Sequence, residues 1–382
     1  MRRVIKIGTS LLRGDRERPT AAVIADLAAS INRARRRGEA IALVSSGAVG
    51  LGCQMLELSS RPAEVVALQA AAAVGQGRLM ALYQDAFAVR GLSVAQVLIT
   101  RGDLASRRRY QNARRTLEQL LEWGVVPVVN ENDTLATHEL RFGDNDTLSA
   151  LVAVAVGADE LILLTDVDRL YSGDPRTDRE ARPISEVRNL RELEDLSSVA
   201  SGGGRWGTGG MTTKLAAARI ATSSGIRVRL ADGRDPAVLD GLLGGQSLGT
   251  VFQPSTTPLR DRKRWLAHAL LPSGTLVVDG GAERALLHQG ASLLAVGLIA
   301  VRGSFGPREA VLLLNQQGRE LGRGISAYGS DVLRELIGRE GVEAVHRDEL
   351  AITAAGSGKP EPLRSIHTGT HDAAQPADQG AE

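Results

Sequence analysis

The chain has 382 residues, with 46 Lys or Arg and 44 Asp or Glu, so its formal charge is +2. This balance argues against a molecule-wide field for binding nucleic acid or an anionic membrane. The single cysteine, Cys53, excludes an internal disulfide and any redox or zinc motif that needs a second thiol.

The length predicts two domains, since single domains commonly hold about 100 to 200 residues. Gly is frequent at 43 residues and aromatic residues make up 3%, which favours an α/β protein with an aliphatic core. Residues 3–7 already have a strand pattern without a preceding signal segment. No run approaches the eighteen or so apolar residues of a membrane span. A cytoplasmic enzyme without a membrane partner is therefore expected.

Short apolar runs alternate with amphipathic helical patterns along the first two thirds of the chain. The runs with strand character are residues 4–7, 41–44, 94–99, 125–129, 161–164 and 226–230. This alternation predicts a parallel sheet with helices on both faces. In such a sheet ligands bind beyond the carboxyl ends of the strands, so the loops after the strands form the expected functional edge.

Small and polar residues are concentrated in those loops. They include Lys6, Gly8 and Ser10 after the first strand, Ser46 and Gly47 after the second, Asn130, Asn132 and Asp133 after the fourth, and Thr165 and Asp166 after the fifth. Gly8 and Gly47 let the backbone approach a phosphate or a carboxylate closely, although plain strand-to-helix turns have the same composition. A lysine among apolar strand residues, as at Lys6, needs solvent or an anionic partner.

Asp144, Asn145 and Asp146 end the long loop that follows the fourth strand. Such a cluster at the start of a helix can cap the helix, coordinate Mg²⁺ or hold a cationic amine. A cap with an Asx-rich turn is the simplest interpretation.

A glycine-rich segment covers residues 201–214 and leads into a helical pattern. It is not a Walker A loop, because Gly-x-x-x-x-Gly-Lys-[Ser/Thr] is absent from the chain. Its hydroxyl groups, backbone amides and Lys214 suit the outer phosphates of a nucleotide. A disordered surface loop is the alternative.

The pattern changes after residue 250. We predict a first domain over residues 1–255, a linker over 256–271, a compact β-rich domain over 272–355 and a disordered tail over 356–382.

Several of these motifs together resemble the amino-acid kinase family in order and spacing. They are residues 6–10 (KIGTS), 45–48 (SSGA), 130–133 (NEND), 143–146 (GDND), 165–166 (TD) and 208–214 (TGGMTTK). The Gly-Thr-Ser start resembles the members that phosphorylate the side-chain carboxylate of L-glutamate, the first step of proline biosynthesis. Residues 272–355 resemble the PUA domain that many of those members carry. The resemblance implies an open, mainly parallel sheet between helices, followed by a small β-rich PUA-like domain.

The resemblance also implies site residues. Lys6, Lys214, Asp144 and Asp146 would be catalytic, and Ser46, Asp133 and Asn145 would bind glutamate. The positions that resemble the ATP site are Lys6, Thr165, Asp166, Thr208, Gly209, Gly210, Met211, Thr212, Thr213 and Lys214. Asp144 and Asp146 could orient the two lysines, bind the substrate amine or lie near a metal, and the sequence leaves these roles open.

Phosphoryl transfer to a carboxylate fits these residues, because a glutamate side chain with a pKa of about 4.3 is already ionised at neutral pH and needs no general base. ATP and Mg²⁺ are the implied cofactors, with Mg²⁺ held mainly by the phosphates. The resemblance further implies inhibition by proline, a homodimer or homotetramer, and a glutamyl-phosphate reductase as the next enzyme.

Two other interpretations stay open. A kinase of the same fold could act on aspartate, acetylglutamate, carbamate or a nucleoside monophosphate, although the Gly-Thr-Ser start and the PUA-like domain argue against it. PUA domains elsewhere bind RNA, but this one has few stacking aromatic residues, chiefly Phe305 and Tyr328, and no dense basic stripe.

Overall fold

The computed structural model describes residues 1–14, 18–136, 145–175, 178–201, 210–256, 258–259 and 261–353. They form two larger sheets, one drawn from residues 2–252 and the other from residues 274–352. The expected α/β unit followed by a strand-rich unit is confirmed.

The first unit is built on a mainly parallel sheet. Its strands are β1 (Arg2–Ile7), β2 (Ala40–Ser45), β3 (Val94–Ile99), β4 (Val126–Glu131), β5 (Glu160–Thr165), β6 (Leu170–Tyr171), β7 (Pro183–Ile184), β8 (Glu186–Val187), β9 (Arg227–Asp232) and β10 (Thr250–Phe252). Eight of them follow the order β3-β4-β2-β1-β5-β9-β10-β8, while β6 pairs with β7. Only the pairing of β9 with β10 is antiparallel in the eight-stranded sheet. The carboxyl ends of β4, β2, β1, β5 and β9 therefore meet at one edge, the carboxyl edge.

Helices cover both faces of this sheet. They are α1 (Thr9–Leu12), α2 (Thr20–Arg36), α3 (Ala48–Met55), α4 (Val65–Ala88), α5 (Arg101–Ala105), α6 (Arg107–Glu122), α7 (Asn145–Ala155), α8 (Leu190–Ser201), α9 (Gly210–Ser223), α10 (Pro236–Leu243) and α11 (Asp261–His268). Residues of α1 to α4 and α10 share one apolar core, and residues of α5 to α9 and α11 share the other. Val4 of β1 lies in the second core while Ile5 and Ile7 lie in the first, because successive strand side chains point to opposite faces. Strands covered on both faces are apolar throughout.

Helices α3 and α4 cross at unusually close range. A Cβ atom at Gly52 would lie 1.7 Å from the carbonyl oxygen of Ala71, and one at Gly75 would lie 1.9 Å from that of Ala48. Only glycine fits at these two positions. The crossing holds α4 against the start of α3, where the chain leaves the carboxyl edge.

Helix α4 is also long and apolar enough to cross a membrane by length and composition, since an 18-residue window of it has a mean hydropathy of 1.4. The prediction from the sequence that no run approaches the length of an apolar membrane span is therefore wrong. Core helices can pass the same test, and Leu79, Tyr83 and Phe87 of α4 are buried in the core of the first unit. The apolar window of the helix is 39% buried, so packing within the first unit covers part of it.

A buried ion-pair cluster joins three neighbouring strands at the opposite, amino-terminal edge. Glu160 begins β5 and has no exposed surface. It accepts hydrogen bonds from Nε of Arg3 on β1 at 2.9 Å and from Nε of Arg229 on β9 at 2.8 Å. Arg3 also pairs with Glu39. Each buried charge in the cluster is thereby compensated.

The second unit consists mainly of short strands that pair in both antiparallel and parallel fashion. Its elements are β11 (Gly274–Val278), α12 (Gly280–Arg284), β12 (Leu293–Leu294), β13 (Leu298–Gly303), β14 (Ala310–Leu314), β15 (Glu320–Ile325), α13 (Ser330–Leu336), β16 (Glu343–Val345) and β17 (Leu350–Ile352). The larger sheet has the order β13-β11-β14-β15-β17, and β12 pairs with β16. The domain boundaries predicted at residues 255 and 272 stay predictions.

Helix α11 lies within the predicted linker and joins the two units. Trp265 is buried, donates its indole N–H to the carbonyl of Leu104 at 3.0 Å, and has the guanidinium of Arg107 5.2 Å from its ring centre. On the other side, Arg323 of β15 donates to the carbonyl of Leu270 at 3.2 Å. The segment is therefore packed against both units.

The carboxyl end of α9 meets the same junction. Ser223 Oγ lies 3.0 Å from Nε2 of His268, and Arg219 donates to the carbonyl of Thr353 at 3.4 Å. Burial, with the nearby charges of Arg323 and Arg219, lowers the pKa of His268 to about 3. His268 is therefore neutral in the folded protein at physiological pH.

Replacing Glu160 with glutamine should destabilise the protein strongly, because Arg3 and Arg229 would lose their shared buried carboxylate. We expect a loss of about 3 to 5 kcal/mol in the free energy of unfolding, measured by urea denaturation of the full chain. The control is Asp240→Asn, which breaks an exposed pair with Arg33 and should cost at most about 1 kcal/mol. Equal effects of the two changes would contradict the role of the buried cluster.

The stability of the protein should fall on acidification through His268. Its folded-state pKa lies below the unfolded value, so the unfolded chain binds a proton first as the pH drops below 6.5. The lost stability should reach about 2 kcal/mol at pH 5 and grow towards pH 3. In His268→Gln the melting temperature should change less between pH 7.5 and 5 than in the wild type. His288→Gln, at an exposed position, should keep the wild-type dependence of melting temperature on pH. A slope unchanged by His268→Gln would refute this assignment.

Candidate functional site

Two lysines from distant parts of the chain meet at one carboxylate on the carboxyl edge. Nζ of Lys6, near the end of β1, lies 2.5 Å from Oδ1 of Asp146, and Nζ of Lys214, on α9, lies 3.1 Å from Oδ2. Asp146 has no exposed surface and Lys6 keeps 6% of its side-chain surface exposed. Asp146 therefore fixes both ammonium groups at the point where β1, α7 and α9 converge.

The cluster carries more positive than negative charge among the described residues. Within the described residues these two ammonium groups share one carboxylate, which leaves one more positive than negative charge in this mostly buried group. A buried charge of this kind favours an anionic ligand, since burial without compensation is costly. Lys214 also donates to the carbonyl of Gly210 at 3.1 Å, and Thr213 Oγ1 lies 3.1 Å from Oδ2 of Asp146. These contacts attach the first turns of α9 to the cluster.

The first turn of α7 links this cluster to a second group of side chains. Asn145 directly precedes Asp146, and its Nδ2 lies 2.7 Å from the carbonyl of Ser45, 2.9 Å from Oγ of Ser46 and 3.0 Å from Oδ1 of Asn130. The ends of β2 and β4 are thus connected through one amide. Of the roles that the sequence left open for Asp146, the contacts support orientation of the two lysines.

Helix α4 supports the same edge through polar residues that the sequence analysis missed. Gln69 donates to the carbonyl of Ala136 at 3.1 Å, Gln76 accepts from Nδ2 of Asn130 at 2.8 Å, and Tyr83 Oη lies 2.9 Å from Ser45 Oγ. Burial raises the pKa of Tyr83, against the effect of its hydrogen bond with Ser45. The three positions are seven residues apart, which places them on one side of the helix. The seven-residue spacing of these polar side chains in an alanine-rich helix is the sequence signal by which they could have been found.

The predicted nucleotide residues Thr165 and Asp166 end β5, beside β1. Thr165 is buried and donates to Asp166 at 3.1 Å, while Asp166 is exposed. Asp232 lies opposite Thr165 at the end of β9. Burial acts to raise the pKa of Asp232, but hydrogen bonds from Arg234 prevail and hold it below its usual value. The loop after β9 therefore adds a charged pair that the sequence analysis did not include.

The remaining predicted residues are placed as follows. Asp133 lies partly buried in the turn after β4, and Gly210, Met211 and Thr212 form the first turn of α9. Asp144, Thr208 and Gly209 lie outside the described residues. Within the described ranges, no group of three or more His, Cys, Asp or Glu side chains could hold a metal ion.

A cavity of about 340 Å³ opens beside the same loops, between α1 and α3. Thr9, Arg13, Gly47, Cys53 and Arg61 are among its lining residues. Gly47 takes a φ of 100°, which favours glycine, and a Cβ atom there would lie 3.4 Å from that of Leu12. Neither Lys6, Asp146 nor Lys214 lines this cavity, so it is separate from the charged cluster.

Comparison with known proteins identifies two sequence families in the chain. The amino acid kinase family matches residues 1–232, and the PUA domain matches residues 274–347. Both matches agree with the division into a larger α/β unit and a smaller strand-rich unit.

The most similar relatives compared cover nearly the whole chain. Glutamate 5-kinase of Synechococcus sp. (strain CC9902) is 61% identical over 91% of this chain and 98% of its own length. That of Parasynechococcus marenigrum (strain WH8102) is 62% identical over the same shares, and that of Prochlorococcus marinus (strain MIT 9313) is 59% identical over 92% and 99%. Among solved structures, isopentenyl phosphate kinase aligns with a TM-score of 0.46 and 17% identity, over 66% of this chain and all of that one.

Proposed function

Because the chain belongs to the amino acid kinase family, as one of its glutamate 5-kinases, we propose that it transfers the γ-phosphoryl group of ATP to the side-chain carboxylate of L-glutamate. The product is L-glutamyl 5-phosphate, and the reaction is the first step of proline biosynthesis. The observation that carries this proposal is the pair of ammonium groups held by Asp146 on the carboxyl edge.

Phosphoryl transfer depends on positioning and on positive charge aimed at the transferred group. Lys6 and Lys214 are held by one buried carboxylate, so little reorganisation is needed when negative charge develops. The acceptor carboxylate is ionised at neutral pH and attacks without a general base, since its pKa is about 4.3.

The two substrates would occupy opposite sides of Lys6. Strands β2 and β4 and the start of α7 bring Ser46, Asp133 and Asn145 to one side, and we assign these residues to glutamate. Strand β5 and the start of α9 bring Thr165, Asp166 and residues 210–214 to the other side, and we assign these to ATP. A helix start suits phosphate groups, because its backbone N–H groups lack partners within the helix.

Mg²⁺ would enter with ATP and be held mainly by the phosphates. There it would neutralise negative charge on the phosphate oxygens during transfer. Asp144 and Asp146 stay the residues that could lie near the ion, and no protein cage for it is proposed.

Further properties follow from the family precedent and are part of the proposal. We propose a cytoplasmic homodimer or homotetramer, inhibition by proline at a site that overlaps the glutamate pocket, and a glutamyl-phosphate reductase as the consumer of the labile product. RNA is not proposed as the main partner of the PUA domain.

The function is tested by hydroxamate formation, because hydroxylamine traps an acyl phosphate as it forms. The purified chain is incubated with ATP, Mg²⁺ and hydroxylamine, and with glutamate, aspartate or acetylglutamate in parallel. Activity confined to glutamate and suppressed by proline supports the proposal. Activity with another acceptor, or none with glutamate, would refute the substrate assignment.

Loss of either lysine or of their shared carboxylate should remove transition-state stabilisation. We expect Lys6→Ala, Lys214→Ala and Asp146→Asn each to lower turnover by on the order of a hundredfold or more. Lys263→Ala, on α11 at the domain junction, is the matched control and should stay within about twofold, since surface changes remote from special sites have small effects. Wild-type turnover in any of the first three variants would remove that residue from the catalytic group.

Asp133→Ala should act on glutamate binding more than on the chemical step. We expect the Michaelis constant for glutamate to rise by about tenfold or more while turnover changes less and the constant for ATP stays unchanged. Steady-state kinetics with each substrate varied in turn makes the measurement. A glutamate constant equal to that of the wild type would place Asp133 outside the pocket.

A further inference from the structure

Gln76 on α4 has an unused hydrogen-bond donor at the carboxyl edge. Its Nε2 atom is buried and has no hydrogen-bond partner among the described residues. Buried amide donors are normally paired, so an unpaired one beside a candidate binding site calls for an explanation. A ligand that supplies the acceptor is one such explanation.

The orientation of this amide follows from its neighbours. The backbone N–H of Glu131 donates to Oδ1 of Asn130 at 2.9 Å, and Nδ2 of Asn145 lies 3.0 Å from the same oxygen. Two donors therefore identify that atom as oxygen, so the other end of the Asn130 amide is Nδ2. Nδ2 lies 2.8 Å from Gln76 Oε1 and must meet an acceptor there. Nε2 of Gln76 consequently points away from Asn130.

Two other polar side chains of α4 have hydrogen-bond partners at this edge. Gln69 and Tyr83 lie seven residues before and after Gln76 and each reaches a partner, in Ala136 and Ser45. The close crossing of α3 and α4 at Gly75, directly before Gln76, fixes the position of the helix. The unpaired donor is thus held in place by its surroundings and is not an effect of a loose side chain.

The position of Gln76 indicates which part of a substrate it would meet. Gln76 contacts β4, whereas Lys6 lies on β1, two strands away at roughly 5 Å per strand. The reacting carboxylate of glutamate must lie near Lys6 and Lys214, so the amino-acid end of the molecule extends towards β4. An N–H donor suits the α-carboxylate there and not the ammonium group, which has no acceptor.

We propose that Gln76 binds the α-carboxylate of glutamate through Nε2 and thereby positions the substrate for transfer. This inference rests on the proposed function and adds a specificity residue to it. The amides of Gln76, Asn130 and Asn145 then form one connected series from the amino-acid end of the substrate to the first turn of α7, where Asp146 holds the lysines.

The test compares two isosteric changes on the same helix in the full chain. Gln76→Glu replaces the donor with a carboxylate that repels the substrate, and Gln84→Glu makes the same change at an exposed position of α4. For Gln76→Glu we expect the Michaelis constant for glutamate to rise at least tenfold, turnover to change less than threefold and the constant for ATP to stay unchanged. Gln84→Glu should leave all three values at those of the wild type.

A second variant separates binding from folding. Gln76→Leu removes the donor without adding charge, and its melting temperature is measured with and without glutamate. The proposal expects a folded protein in which glutamate no longer raises the melting temperature as it does in the wild type, while ATP still does. A wild-type response to glutamate in Gln76→Leu, or a wild-type glutamate constant in Gln76→Glu, would overturn the inference and leave the kinase function intact. Absence of hydroxamate from glutamate in the wild type would overturn both.

Discussion

The contact on which the site depends is the double ion pair of Asp146. It joins the first strand of the chain to a helix that begins more than two hundred residues later, and it does so at the first turn of α7. A carboxylate is favourable at the amino end of a helix, so Asp146 also stabilises the first turn of α7. Without this residue, two buried ammonium groups would face each other with no described carboxylate between them.

Two charged clusters with opposite arrangements lie at the two ends of strand β1. At the amino end, Glu160 lies between two arginines, and Arg3 has a second carboxylate partner in Glu39, so the charges there are compensated. At the carboxyl end, Asp146 lies between two lysines and positive charge is left over among the described residues. The first arrangement serves stability and the second is suited to an anion. Both clusters are largely buried, and among the described residues they differ in the balance of charge.

Much of the fold could be predicted because it follows from local patterns. The six strand runs correspond to β1, β2, β3, β4, β5 and β9, since buried parallel strands are apolar throughout. The short strands β8 and β10 and helix α11 could not be predicted, because their few residues have no distinct periodicity and form only through tertiary contacts. Orientation of Lys6 by Asp146 was one of three roles that the sequence left open for this carboxylate, and only the contacts favour it. Gln76 was missed because its significance lies in one unpaired atom, which no sequence pattern records.

Helix α11 has a consequence for the way the polypeptide is divided. The two family matches end at residue 232 and begin again at residue 274, which suggests a tether that could be cut. Yet Trp265, Leu266 and Leu270 are buried in the core that also contains α9, and Ala310 and Ala351 of the second unit belong to the same core. Residues of both units therefore belong to one hydrophobic core. Excision of either one would therefore expose apolar side chains of this common core to water.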